Sequence, residues 1–318
     1  MTTYADALYQ NGGMPVGVNP VFNKIFSCIR GTNYAKGRAW FVDPSQVSSG
    51  NGKSPVSAFI TMDEAFDNLH SGDIIYCLGN IREQLVTPVQ IFDVTVIGCG
   101  NRPRNADSTP AGGQYGAVTW RAPASGTAAQ ATVRVLQQGW TFYNILFGMY
   151  DADAAGVEIV RNAGADDAER DGSHCSIIGC RFGGTGVGVR LTATSFTENP
   201  FNVLIQGSKF NSCTIGISAT AAQPNSCNVE DNVFQGCTSA ITAKFQASLI
   251  KGNSVYGFTA AASSGGIDVR SGGGNNFITG NWLGGTYSKA GGYNTEANDS
   301  WWGNFANITG VITEADPA

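Results

Sequence analysis

Charge is scarce in this sequence: Asp, Glu, Lys and Arg supply 14% of its 318 residues, against ~25% in ordinary globular chains. The 19 Lys+Arg stand against 24 Asp+Glu, a net charge of −5. A nucleic-acid groove requires a basic face, so no nucleic-acid partner is expected. Histidine is scarcer still, with only His70 and His174, and the eight cysteines include no C-x-x-C pair. A zinc site is therefore not expected. Gly184, Gly186 and Gly188 have the wrong spacing for a dinucleotide loop. No apolar run approaches the ~20 residues of a membrane span, so membrane insertion is not expected. Met1 to Gln10 carries neither the basic nor the apolar stretch of a secretory signal.

Glycine, by contrast, is abundant. Its 42 copies lack the three-residue period of collagen. With 42% hydrophobic and 10% aromatic residues, the chain can build a sizeable core. Its length suits one large domain or two small ones.

The glycines mark a repeat. Ile177-Ile178-Gly179-Cys180-Arg181-Phe182 aligns with Ile205-Gln206-Gly207-Ser208-Lys209-Phe210 and with Val229-Glu230-Asp231-Asn232-Val233-Phe234. Ile250 to Val255 and Ile278 to Leu283 continue the series, and the last apolar residues lie 28, 24, 21 and 28 positions apart. Tyr143-Asn144-Ile145-Leu146 reads as an earlier copy. After each anchor comes a second element, such as Gly186-Val187-Gly188-Val189 or Gly216-Ile217-Ser218-Ala219. Short alternating stretches are strand signals. Two strands per repeat, separated by a corner, describe one coil of a parallel β-solenoid. Gly at the corner suits a backbone with φ > 0. Stacking predicts one column of Asn144, Ser208, Asn232, Asn253 and Asn281, with side chains hydrogen-bonding along the axis.

Half of the cysteines fall in register as well. Cys213 and Cys237 each follow an anchor Phe by three positions, while Cys175 and Cys227 lie two coils apart with Val203 between them. Buried reduced thiols are expected, since free Cys packs as a small hydrophobe. A disulfide between Cys213 and Cys237 is the alternative. Ahead of the coils, Thr61-Met62-Asp63-Glu64 is a capping box, predicting a helix near 61–70 over the open first coil. The division expected is an N-terminal arm over 1–38, coils over 39–290, and a closing segment over 291–318.

Phe41-Val42-Asp43-Pro44, Gly50-Asn51-Gly52-Lys53-Ser54-Pro55, Gly72-Asp73-Ile74-Ile75-Tyr76, Arg82-Glu83 and Val94-Thr95-Val96-Ile97-Gly98 follow one another in order. This succession resembles the opening of right-handed parallel β-helix proteins of the pectate-lyase-like superfamily. The later coils are similar to those of bacteriophage tailspike-type and other virion β-helices. The resemblance implies an all-β, right-handed parallel β-helix of about eight coils. It implies a phage virion structural protein of tailspike, fibre or capsid-decoration type, assembled as a homotrimer. Its partners would be a host surface polysaccharide or other virion proteins. The missing signal fits a virion protein made in the host cytoplasm. The alternative is a polysaccharide lyase or glycoside hydrolase on the same fold.

Glu158 and Asp268 occupy equivalent outward positions, four coils or ~19 Å apart at the usual strand spacing. That is too far for the paired carboxylates of glycoside cleavage. Gln206, Glu230, Lys251 and Thr279 form a second outward column that faces glycan or water, with Glu230 and Lys251 read as a surface ion pair. Trp301 and Trp302 either stack on sugar or plug the last coil. Candidate glycan or partner contacts are thus Glu158, Gln206, Glu230, Lys251, Asp268, Trp301 and Trp302. Asp166, Asp167 and Asp171 have the chemistry of a calcium site, although a solvated acidic loop is the simpler reading. No other cofactor is expected.

Overall fold

Strands of three residues cannot bury much alone, and this chain makes them pay by repetition: each coil lays three on the coils above and below. The computed structural model describes residues 37–100, 118–124, 126–127, 130–149, 151, 154–162, 170–193, 199–256, 266–270, 273–284, 293–295, 298–308 and 311–314. Ser176–Ile178, Arg181–Gly184 and Val187–Ala193 are the three strands of one coil, and each enters a different sheet. The chain is a right-handed parallel β-helix.

Sheet A runs through ten parallel strands, from Ala39–Val42 to Ser300–Trp302. Sheet B begins at Asn80–Arg82 and reaches Phe305–Ile308, on which Val311–Glu314 pairs antiparallel. Sheet C spans Leu85–Val86 to Tyr293–Asn294. Two expectations change here. The six-residue anchor is two strands from sheets A and B flanking a corner, so a coil has three strands. Eight strands follow one another along sheet C, in line with the eight coils expected, but coil structure continues beyond residue 290 to Ile308.

The corner between sheets A and B shows why its residues recur. Gly179, Gly207, Asp231, Gly252, Gly280 and Gly303 all have φ between 54° and 66°, a region costly for residues with a Cβ. Asn144, with φ 56°, belongs to this column and not to the amide column in which the sequence placed it. There its Nδ2 donates to the carbonyls of Gly98 and Gly100 at 2.8 and 3.2 Å. The amide column is Asn232, Asn253, Asn281 and Asn304, with Ser208 at its start. Asn232 Oδ1 accepts from Ser208 N–H at 2.9 Å, and each later Oδ1 accepts from the backbone N–H and Nδ2 of the preceding Asn, at 2.9–3.1 Å. Buried amides thus satisfy one another and the corner backbone.

Inside sheet B, Phe147, Phe182, Phe210 and Phe234 stack face to face, with centroids 5.3, 4.8 and 4.7 Å apart. Sheet C makes room for the rings. A Cβ on Gly188 would lie 2.5 Å from Phe210 Cδ1, and one on Gly216 2.5 Å from Phe234 Cδ1. The short helix Met62–Phe66 covers the first coils, buries Met62, Ala65 and Phe66, and carries the complete capping box. It stops before residue 70 because Asn68 and Leu69 close it with i→i+3 bonds to Ala65 and Phe66.

Candidate functional site

Alternation along the strands puts every second residue of sheet A outside. Register carries Gln206 to Glu230, Glu230 to Lys251, Lys251 to Thr279, and Thr279 to Trp302. These five residues form one column on consecutive coils, ~19 Å tall at ~4.8 Å per strand, in which Thr279 alone is buried, at 6% exposure. The column beside it runs Leu204, Asn228, Leu249, Phe277 and Ser300. Polar and apolar side chains are therefore mixed across one face.

At its C-terminal end the face turns aromatic. Trp302 is 58% exposed and Phe277 41%. Their rings meet edge-on, with centroids 5.9 Å apart and planes at 61°. The sequence reading did not select Phe277. Its spacing of two from Thr279 was the available signal, because i and i+2 share a strand face. Trp301 points the other way and packs against the core in register with Ile278. One of the two tryptophans is thus a plug and the other a surface residue.

The ion pair expected between Glu230 and Lys251 is not formed. Glu230 Oε2 instead accepts from Gln206 Nε2 at 3.4 Å, and Lys251 is exposed. The shorter side-chain step from Gln206 satisfies the carboxylate, so the flexible lysine stays in water, where an exposed pair gains little.

Glu158 and Asp268 lie on sheet C, in an outward column with Arg134, Arg190, Ser218 and Thr242. Each lines a cleft. Glu158 sits with Gln84, Leu85, Val86, Gln130, Ala131 and Arg134 around about 200 Å³. Its carboxylate is braced by Arg134 Nε at 3.1 Å and Arg190 Nη1 at 3.7 Å. Asp268 lines about 240 Å³ with Thr220, Thr242, Ala243, Lys244 and Arg270. Arg270 grips it through Nε at 3.0 Å and Nη2 at 2.6 Å. Four strand steps separate the two carboxylates.

Of the calcium candidates, Asp166 and Asp167 lie outside the described residues. Asp171 accepts from Ser173 N–H and Gln138 Nε2 at 2.9 and 2.7 Å and faces Arg161 at 3.6 Å, so both of its oxygens are engaged.

Residues 136–308, more than half of the chain, match the family described as periplasmic copper-binding protein (NosD). The chain belongs to the NosD family. The NosD match contains the whole sheet A column from Gln206 to Trp302 and both sheet C carboxylates. No curated protein matches the chain. Among solved structures it is similar to a pectin methylesterase from Aspergillus niger, at 13% identity and TM-score 0.46, covering 86% of each chain. Escherichia coli YbhC gives 11% identity and TM-score 0.49, covering 87% of this chain and 77% of that one. The tailspike of E. coli bacteriophage HK620, as a double mutant, gives 14% identity and TM-score 0.31. That match covers 80% of this NosD-family chain and 50% of the tailspike. At these identities and scores the three structures carry no argument about chemistry.

Proposed function

We propose that this protein binds a glycan along the outer face of sheet A and does not cleave it. The observation that carries the reading is the column Gln206, Glu230, Lys251, Thr279 and Trp302 on consecutive coils. A sugar chain presents hydroxyls at its edges and apolar C–H surfaces on its rings. The face answers both, with amide, carboxylate and ammonium groups beside Leu204, Leu249 and Phe277. Trp302 offers a large amphipathic ring, the side-chain type that dominates binding energies. Binding without cleavage is supported by the carboxylates. Glu158 and Asp268 are ~19 Å apart on another sheet, whereas glycosidases hold theirs ~5–9.5 Å apart.

The finer reading is a virion subunit that works as a homotrimer, with a bacterial surface polysaccharide as its ligand. Trp282 and Phe305, register partners on sheet B, are 39% and 44% exposed and offer an apolar contact for a side-by-side assembly. Light scattering is expected to give three times the 33.3 kDa chain mass, and a stable monomer would remove the trimer from the proposal.

Copper, named in the family's description, does not fit the described residues. Copper takes thiolate, thioether or imidazole ligands. His70 and His174 precede sheet A strands three coils apart, ~14 Å at the usual spacing. Among the described residues no three His, Cys, Asp or Glu side chains gather as an ion would require. Cys77 meets Met62 Sδ at 3.5 Å, but burial pushes that thiol well up, against the thiolate that copper needs. No copper chemistry enters the proposal.

The two adjacent tryptophans provide the test. Purified bacterial O-antigen and capsular polysaccharides would be immobilised and screened for binding. Against whichever is retained, Trp302→Ala is expected to weaken binding tenfold or more, about 1.4 kcal/mol or above, as at an aromatic hot spot. Its thermal midpoint should stay near that of the parent. Trp301→Ala should instead lower the midpoint, because that ring fills the last coil. Unchanged affinity in the Trp302 variant, or no retention on any polysaccharide, would overturn the reading.

A further inference from the structure

We propose that Cys213 and Cys237 form a disulfide between neighbouring coils when the folded protein meets a thiol oxidant. Asn211 and Gln235 are register partners at the ends of their strands. The ladder continues beyond them, with Ser212 N–H donating to Gln235 O at 2.9 Å and Thr238 N–H to Cys213 O at 3.0 Å. Cys213 and Cys237 therefore occupy one position on successive coils. Neighbouring strands lie ~4.8 Å apart, within the ~4.4–6.8 Å Cα separation that a disulfide bridges. Both side chains are buried, at 1% and 2% exposure, and the two thiols lie close enough to perturb each other's ionisation.

That contact also divides the roles. The neighbouring Cys213 thiol holds the Cys237 thiol below its ordinary value. The same pairing with Cys237, together with burial, pushes the Cys213 thiol well up. Cys237 is the more readily deprotonated of the two and so the one that reacts first. Exposed Ser212 and Gly236 precede the two cysteines and exposed Thr238 follows, so opening one surface corner admits a small reagent.

Diamide, an azodicarboxamide oxidant, balances the step. Cys237 thiolate adds to one azo nitrogen, forming an S–N bond. Cys213 thiolate then attacks the Cys237 sulfur, the S–S bond forms and the S–N bond breaks. The two thiol protons end on the two nitrogens, and the azo group leaves reduced to a hydrazine.

The chain contains its own control. Cys175 and Cys227 share a column with Val203 between them, so they lie ~10 Å apart at two strand spacings, out of reach of each other. The full chain would be oxidised while folded, unfolded in guanidinium with iodoacetamide, and cut after Lys209, Glu230 and Lys244. The expected product joins the peptide holding Cys213 and Cys227 to the peptide holding Cys237, and has lost two hydrogens. The link should persist in Cys227→Ser and vanish in Cys213→Ala. The oxidised protein should melt ~4–10 °C higher than the reduced one, as expected for a cross-link closing a loop of this size. Alkylated Cys213 and Cys237 after oxidation, or a link that survives Cys213→Ala, would overturn the proposal.

Discussion

Phe210→Ala should lower the unfolding free energy by about 3–5 kcal/mol, the usual cost of truncating a buried aromatic. Phe210 has no solvent exposure and lies between Phe182 and Phe234, nearly parallel to both at 8° and 9°. Removing it opens a gap in the middle of the stack and forfeits two ring contacts, each about 0.5–1.5 kcal/mol beyond the area term. The gap has little chance to close, because the flanking rings are fixed by their own coils. A domain holds roughly 5–15 kcal/mol in total, so about a fifth or more is at stake. Solenoid coils depend on their neighbours, so hydrogen exchange should rise first in the coils from Val187 to Tyr256. A denaturant midpoint close to the parent's would show that the stack does not hold these coils together.

Asn253→Ala should cost a comparable amount, about 3–5 kcal/mol, although the side chain is polar. Asn253 Oδ1 accepts from Asn232 N–H and Nδ2, both at 3.1 Å, and its Nδ2 donates to Val229 O and Asn281 Oδ1, both at 2.9 Å. Alanine leaves Asn232 donors and the Val229 carbonyl buried without these partners, at about 1–3 kcal/mol each before relaxation. Asn253→Asp separates donor loss from volume loss. The carboxylate keeps the accepting oxygen but sets a charge against Val229 O and Asn281 Oδ1, so folding raises its pKa. Stability contributed by the protonated form is present at acid pH and lost as pH rises through that raised pKa. Unfolding curves of the Asp variant should therefore approach the parent at low pH and fall below it at neutral pH. A pH-independent deficit would mean that the ladder acts through packing alone.

The ladder from Ser208 to Asn281 and the recurrence of Phe182, Phe210 and Phe234 were legible because these residues recur at fixed places around a corner. The third sheet was not. A strand of three residues shows too little alternation for its period to register, so Ile177 to Phe182 read as one element although Gly179 separates two sheets. Gly188 and Gly216 were visible in the sequence, but nothing there says that a Phe ring passes over them. The last coil escaped for a similar reason. Trp301-Trp302-Gly303-Asn304 repeats the corner, yet Ala306 stands in register with Leu283 where earlier copies end in a large apolar residue. Of the candidate site, the column from Gln206 to Thr279 could be read directly from the repeat. The separation of Trp301 from Trp302 required the register of the final strand. The contact of Glu230 with Gln206 rather than Lys251 depends on side-chain conformation, which spacing does not encode.

The most direct test of a glycan-binding, non-cleaving face is the size of a polysaccharide before and after it meets the protein. A polysaccharide retained by the immobilised screen would be incubated with the purified chain and followed by size-exclusion chromatography with light scattering. A binding face predicts a complex heavier than either component, with the polymer recovered at its original mass once the protein is removed. A polymer that emerges shorter would contradict it and identify the protein as a depolymerase.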